Sequence, residues 1–373
     1  MSGDQWHIES LDLASGSRAT VIERGTFPLV VSHGRLVFFR DGELLATPFD
    51  TGAMRPAGSA VRMIDNLNPG LAGVPMIAVS ESGTIVYAST SAVSRLVWVS
   101  RTGVEQPMND VLRAYSNPRI SPDGTRVVVQ AGNLWIQDLG RSTFTRLSNR
   151  DDGTTGFPIW TADGRRVVAR SGTGLMIYDA EGSGRSELIP GSGDTDYPAA
   201  FAADGDTLVL QRSSQDTGFD LFALSLGDPS KRRTLVKTFA YEGGARLSPD
   251  GKWMTYISNE SGQNEAYVRP FAGGDRRWQV STQGATQAAW NPNGREIFYR
   301  EGNRMIAVDV SGASELTLSS PHVLFDQRYA FGAGITVANY DISRDGQRFL
   351  MVKDEAGAGR LNIVLNAFAD LVK

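Results

Sequence analysis

Apolar and polar residues alternate in short runs along almost the whole chain, most plainly in Leu134-Trp135-Ile136-Gln137-Asp138-Leu139 and Leu175-Met176-Ile177-Tyr178-Asp179. A period of two, rich in β-branched and aromatic residues and broken often by turn residues, predicts half-buried strands. No segment longer than a few residues keeps a helical period. One strand is predicted after each of eight similar turns, over 35–39, 84–87, 126–129, 166–169, 207–210, 253–257, 296–299 and 348–352. The turns read Ser-His-Gly (32–34), Ser-Glu-Ser-Gly (80–83), Ser-Pro-Asp-Gly (121–124), Thr-Ala-Asp-Gly (161–164), Ala-Ala-Asp-Gly (202–205), Ser-Pro-Asp-Gly (248–251), Asn-Pro-Asn-Gly (291–294) and Ser-Arg-Asp-Gly (343–346). Their closing glycines are 49, 41, 40, 41, 46, 43 and 52 residues apart. Four strands fit into each interval, and a strand repeat of that period is the signature of a radial array.

The fold class expected is therefore all-β, a β-propeller of four-stranded blades forming a single domain over 1–373. A lone meander leaves two apolar faces uncovered, whereas blades packed in a ring cover both. Val79, Ile120, Trp160, Phe201, Leu247, Trp290 and Ile342, each just ahead of a turn, are the expected wedges between blades. Eight blades are expected, with seven as the alternative. The segments 6–13 and 19–22 read as outer strands without inner partners, and 340–343, 348–352 and 361–368 as inner strands without outer ones, so closure by one blade built from both termini is expected. The repeated Asp has a local explanation, because its carboxylate accepts backbone amides just ahead and Gly supplies the positive φ. Asp123, Asp163, Asp204, Asp250 and Asp345 are accordingly read as turn residues and not as catalytic groups.

Composition narrows the functions. Thirty-seven basic against 41 acidic residues, net −4, give no bulk attraction for nucleic acid or an anionic membrane. The absence of cysteine removes disulfides, thiol catalysis and thiolate-bound metals. No apolar run approaches the roughly 20 residues of a membrane span, and the first residues carry no signal-peptide pattern, which leaves the compartment open.

The Ser-Pro-Asp-Gly turns, the strand 134–139 and Val-Arg-Pro-Phe at 268–271 resemble TolB-like, WD-repeat-like bacterial propellers. A narrower resemblance, carried by Asp41-Gly42-Glu43-Leu44-Leu45-Ala46-Thr47-Pro48-Phe49-Asp50, Leu96-Val97-Trp98-Val99 and Asn362-Ile363-Val364-Leu365-Asn366, is to the C-terminal propeller region of bacterial serine/threonine protein kinases. No glycine-rich phosphate loop, His-Arg-Asp or Asp-Phe-Gly precedes the repeats, so kinase activity is not implied. The likeness does imply a binding or docking module, a monomer, with an upstream domain absent from this chain.

In a propeller the loops that lead into the inner strands surround one mouth of the channel. Asn66, Asn117, Asp152, Asp196, Tyr197, Glu242, Gln287 and Asn339 lie there and are the candidate ligand-binding residues. Two readings stand. The first is a non-enzymatic module that binds a protein, peptide or small molecule at this mouth. The alternative is a calcium-assisted hydrolase of esters, lactones or phosphotriesters, with Asn66, Asn117, Asp152, Asp196 and Glu242 as oxygen ligands. No catalytic residue is assigned, because His7, His33 and His322 fall in different repeats and no Gly-x-Ser-x-Gly elbow occurs. Arg119 and Arg246 hold matching positions in two inner strands, with Asp341 in a third, and are expected to pair between blades in preference to lining the channel.

Overall fold

The computed structural model describes residues 6–31, 34–40, 43–64, 67, 76–80, 83–88, 93–141, 143–148, 156–312, 315–331, 337–355 and 361–367. Every element longer than a turn among them is a β-strand. They group into two compact units, one of residues 94–354 and the other of residues 1–93 with 355–373.

The larger unit holds six antiparallel sheets. The first is Ser116–Ile120, Arg126–Ala131, Asn133–Asp138 and Phe144–Arg146; the second Gly156–Trp160, Arg166–Ser171, Gly174–Asp179 and Ser186–Leu188. The third is Asp196–Phe201, Thr207–Ser214, Gly218–Ser225 and Arg232–Val236; the fourth Glu242–Leu247, Trp253–Ser258, Glu265–Pro270 and Trp278–Gln279. The fifth runs Thr286–Trp290, Glu296–Glu301 and Arg304–Ser311, and this last strand pairs with both Thr317–Leu318 and His322–Asp326. The sixth is assembled from both ends of the unit, in the order Tyr340–Ile342, Arg348–Asp354, Ser94–Ser100 and Glu105–Pro107. First strands pack against first strands from one sheet to the next, from the sixth into the first and on to the fifth. The fifth and sixth meet through a shared core of Val97, Ala289, Phe298, Tyr340 and Phe349. The chain is a β-propeller.

The sixth blade corrects the expected closure. Ser94–Ser100 pairs with Arg348–Asp354 across seven residue pairs, whereas Ile8–Leu11 and Arg18–Ile22 pair with each other in a sheet of their own. Hydrophobic patterning marks both candidates as strands with an apolar face. It cannot choose between them, because ladder hydrogen bonds are blind to sequence and the partner is selected by core fit. Six sheets lie in this unit, where eight blades, or seven, were expected over the whole chain. The smaller unit contains that two-stranded sheet and two others. One is Thr26–Val31, Arg35–Arg40 and Glu43–Asp50, the last pairing with both Arg55–Pro56 and Val61–Ile64; the other is Leu361–Val364, Ile85–Ala88 and Ile77–Val79.

Of the expected wedges, Trp160, Trp290 and Ile342 are buried, whereas Val79, Ile120, Phe201 and Leu247 are half-buried. Trp160 packs among Val128 and Ile136 of the preceding blade and donates its indole N–H to the Arg119 carbonyl at 2.9 Å. Trp290 packs beside Trp253 and Ile257. In the 121–126 turn the Ser121 hydroxyl donates to Asp123 Oδ1 at 2.5 Å and accepts the Arg126 N–H at 2.9 Å, while Asp123 Oδ1 also accepts the Thr125 N–H at 3.0 Å. The Ser121 hydroxyl and the Thr125 amide hold the Asp123 pKa down at about 2, and Asp163, Asp250 and Asp345, in equivalent turns, are lowered too. A depressed carboxyl stabilises the fold above its unfolded pKa, and that contribution is lost as pH falls through the folded value.

Two turn glycines separate backbone strain from packing. Gly251 has φ +70° and open space where a side chain would point, whereas a Cβ on Gly346, also at φ +70°, would lie 2.2 Å from Asn291 Oδ1 of the neighbouring blade. Asn291 is fully buried and holds Glu296 Oε2 at 2.7 Å, so it cannot swing aside freely. Gly251→Ala is expected to cost about 1 kcal/mol from the left-handed φ alone. Gly346→Ala is expected to cost at least about 2 kcal/mol more through the clash. Urea unfolding of both variants checks this, and equal midpoints would refute it.

Candidate functional site

Every first strand of the larger unit starts at one end of the channel and finishes at the Asp-Gly turns, or for the fifth sheet the Asn-Gly turn, of the other. A β-bulge interrupts five of these six strands near the start, with register breaks at Ser116/Arg119, Gly156/Ile159, Pro198/Ala200, Gly243/Arg246 and Thr286/Ala289. Asn117, Phe157, Gly244 and Gln287 there have positive φ. A bulge leaves an amide N–H without a ladder partner, and in the interior another group must accept it. Side-chain amides of adjacent blades do so. Asn339 Oδ1 accepts the Asn117 N–H at 2.7 Å, Gln287 Oε1 the Asn339 N–H at 3.3 Å, and Gln211 Oε1 the Gly244 N–H at 3.0 Å.

This accounts for three of the candidate residues. Asn117, Gln287 and Asn339 are brought together, all buried, in bonds that tie the fifth, sixth and first blades to one another. Asn117 Oδ1 and Gln287 Nε2 keep no partner.

Asp196 is fully buried and engaged. Its carboxylate takes a fork from Arg212, Nε at 2.6 Å and Nη2 at 2.8 Å, accepts the Gly193 N–H at 2.9 Å and has Arg232 at 3.8 Å. Tyr197 sits in an aromatic row, edge-on to Phe157 at 5.2 Å and to Phe219 at 5.5 Å, with Phe219 next to Tyr241 at 5.1 Å and the Arg170 guanidinium 4.6 Å over the Tyr197 ring. Glu242 is buried; Thr238 donates to its Oε1, while Oε2 has no partner. Burial pushes its carboxyl pKa up, with Asp220 and Glu260 adding to the rise against the Thr238 bond. Asp220 is buried as well, with Oδ1 unpartnered. Asn66 and Asp152 lie outside the described residues. Among the described residues no three His, Cys, Asp or Glu side chains are grouped to hold a metal, and the carboxylates of Asp196 and Glu242 belong to separate bonding sets.

The opposite end, where the turns are, encloses a cavity of about 320 Å³ with walls from the first, second, third, fourth and sixth blades. Its apolar lining includes Ile120, Trp160, Phe201 and Leu247, and its charged lining is Arg119, Arg246 and Asp341. Arg119, 5% exposed, donates to the carbonyls of Pro118 at 2.6 Å, Ala338 at 2.8 Å and Tyr340 at 3.2 Å, and its Nε is left over. Asp341 Oδ2 accepts the Ile120 N–H at 2.7 Å. These two do join blades, but through backbone groups. Arg246 does not: its guanidinium makes no hydrogen bond or ion pair among the described residues. Burial, and then the Arg246 charge, bring the Arg119 pKa down to about 9, with Asp341 opposing. The cavity therefore holds positive charge that the protein does not neutralise.

The sequence places the candidate ligand residues at the start of the first strands, and Arg119, Arg246 and Asp341, at this end, read there as pairing between blades. The signal was the repeated string Arg-Ile-Ser-Pro-Asp-Gly (119–124) and Arg-Leu-Ser-Pro-Asp-Gly (246–251). Strings that differ only in Ile120 against Leu247 led to different fates, because Arg119 alone has the carbonyls of the closing blade within reach.

No family model and no curated protein matches the chain. Among solved structures it is similar to a putative TolB from Agrobacterium tumefaciens, with 17% identity and a TM-score of 0.58, covering 71% of this chain and 99% of that one. It is also similar to TolB from Acinetobacter baumannii, with 16% identity and a TM-score of 0.43, covering 74% and 67%, and to an oligogalacturonate lyase in complex with manganese, with 11% identity and a TM-score of 0.46, covering 76% and 96%. The fold is TolB-like. At these identities the likeness extends no further than the fold.

Proposed function

We propose that this protein is a non-catalytic binding module that takes a protein, peptide or small-molecule ligand into the turn end of its channel. The observation that carries the reading is Arg246, a partnerless guanidinium in a cavity of about 320 Å³ lined largely by apolar side chains. Few convergent polar groups on an apolar concave wall are what ligand sites have in common. The lining offers no activated nucleophile. Its two hydroxyls, Thr161 and Ser248, are held by Asp163 and Asp250 at 2.6 Å in their turns, and no histidine lines it. The resemblance of 41–50, 96–99 and 362–366 to kinase propeller regions is consistent with a binding or docking role for such a module.

A peptide and metabolite panel read by Trp160 fluorescence and melting temperature tests this. Ala162 and Ala203 are exposed at the cavity rim. The double variant Ala162→Trp/Ala203→Trp is expected to abolish binding with little change in stability. Phe239→Ser, an exposed change at the other end, is expected to leave it intact. The reverse pattern would move the site to the other mouth. A second reading, calcium-assisted hydrolysis there, rests on the unpartnered oxygens of Glu242 and Asp220. It requires ester, lactone or phosphotriester turnover that EDTA removes and Ca²⁺ restores.

A further inference from the structure

Resting on the channel reading above, we infer that the ligand is a carboxylic acid with an apolar body, its carboxylate received by the Arg246 guanidinium. Arg246 lines the cavity with no hydrogen-bond or ion-pair partner among the described residues, whereas Arg119, more than nine-tenths buried, gives its Nη groups to backbone carbonyls. A guanidinium without an acceptor among apolar side chains is costly, and an oxyanion relieves it.

Charge decides which oxyanion. Two guanidinium groups and the Asp341 carboxylate leave the cavity one net positive charge. A monoanion balances that charge, whereas a phosphate dianion overshoots it beside Asp341. The planar fork of arginine also fits a carboxylate in two parallel hydrogen bonds. Ile120, Trp160, Phe201 and Leu247 then favour an aliphatic or aromatic group behind the carboxylate. The C-terminus of a peptide ending in an apolar residue and a free organic acid share this chemistry.

Calorimetry on the full chain tests the inference with phenylacetate, N-acetyl-leucine and the tripeptide Ala-Ala-Phe, each against its carboxamide, and with inorganic phosphate. The acids are expected to bind at least about tenfold more tightly than the amides, the size of one charge-assisted fork, and more weakly as salt rises. Phosphate is expected to bind more weakly than the best acid. Whether phenylacetate or the tripeptide binds more tightly distinguishes a small acid from a peptide end. Arg246→Gln is expected to remove the preference for acid over amide without lowering the melting temperature of the free protein, and Arg246→Lys to keep part of it. Equal affinity for acid and amide, an unchanged preference in Arg246→Gln, or no binding of any acid at millimolar concentration overturns the inference. Amide binding that Ala162→Trp/Ala203→Trp abolishes would leave the channel reading standing without it.

Discussion

Asp196→Ala is expected to destabilise the larger unit by about 3 kcal/mol, the low end of the cost of breaking a buried ion pair. The carboxylate is fully buried and, among the described residues, it is the only anion paired with Arg212, in a two-pronged contact, and with Arg232, at 3.8 Å. Burial and the Arg212 charge already lower the Arg232 pKa, with Asp196 opposing. Without the carboxylate, two like charges face each other and the Gly193 N–H loses its acceptor. Arg212 keeps about a third of its side-chain surface in water and can rehydrate in part, which limits the loss. For a unit of this size the melting temperature should fall by roughly 6–12 °C. Asp196→Ala/Arg212→Ala should recover part of that loss if the pair is coupled. An exposed loop carboxylate free to bind metal would behave differently, since its removal would change ligand binding and leave the melt unmoved. Thermal unfolding of the single and double variants decides between them.

A second large effect is expected at the closing blade. Residues 94–354 alone should fold and unfold cooperatively, because their sixth blade joins the two ends of that segment. Shortening the fragment to 108–354 removes Ser94–Ser100 and Glu105–Pro107 and should destroy that cooperativity. Leu96, Val97 and Val99 are at most 1% exposed, and their loss uncovers Phe349, Leu350 and Val352 as well. Three fully buried aliphatic side chains are worth roughly 5–9 kcal/mol, comparable with the total stability of most domains, about 5–15 kcal/mol. The freed edge of Arg348–Asp354 would also offer unpaired backbone groups to other molecules. Denaturant unfolding and sedimentation of both fragments measure the outcome; matching midpoints would show that the ring does not depend on this pairing.

Strands, their turns and the propeller class were legible in the residues alone, because each is a local property. Alternation along 134–139 dictates a strand with one buried face, and Ser121, Asp123 and Gly124 build their turn from groups five residues apart at most. The wedge role of Trp160 and Trp290 was equally plain, since a large apolar residue recurring just ahead of each turn is suited to packing between blades. What depends on distant partners was not legible. The choice of Ser94–Ser100 over Ile8–Leu11 to close the blade rests on core fit between segments some 250 residues apart in sequence. Asp196 reads in sequence as a loop carboxylate, and only the fold places Arg212 and Arg232 around it. Asn117, Gln287 and Asn339 read as polar residues at a mouth; the bulges beside them, invisible in sequence, leave amide groups for their side chains to join. Arg119 and Arg246 share one motif, yet the ring position of each determines whether its guanidinium meets a carbonyl or an empty cavity. The sequence by itself determined the strand repeat and the turn chemistry. Tertiary structure decided which strand closes the ring and which charged group is left free, because both depend on contacts that exist only once the blades are packed together.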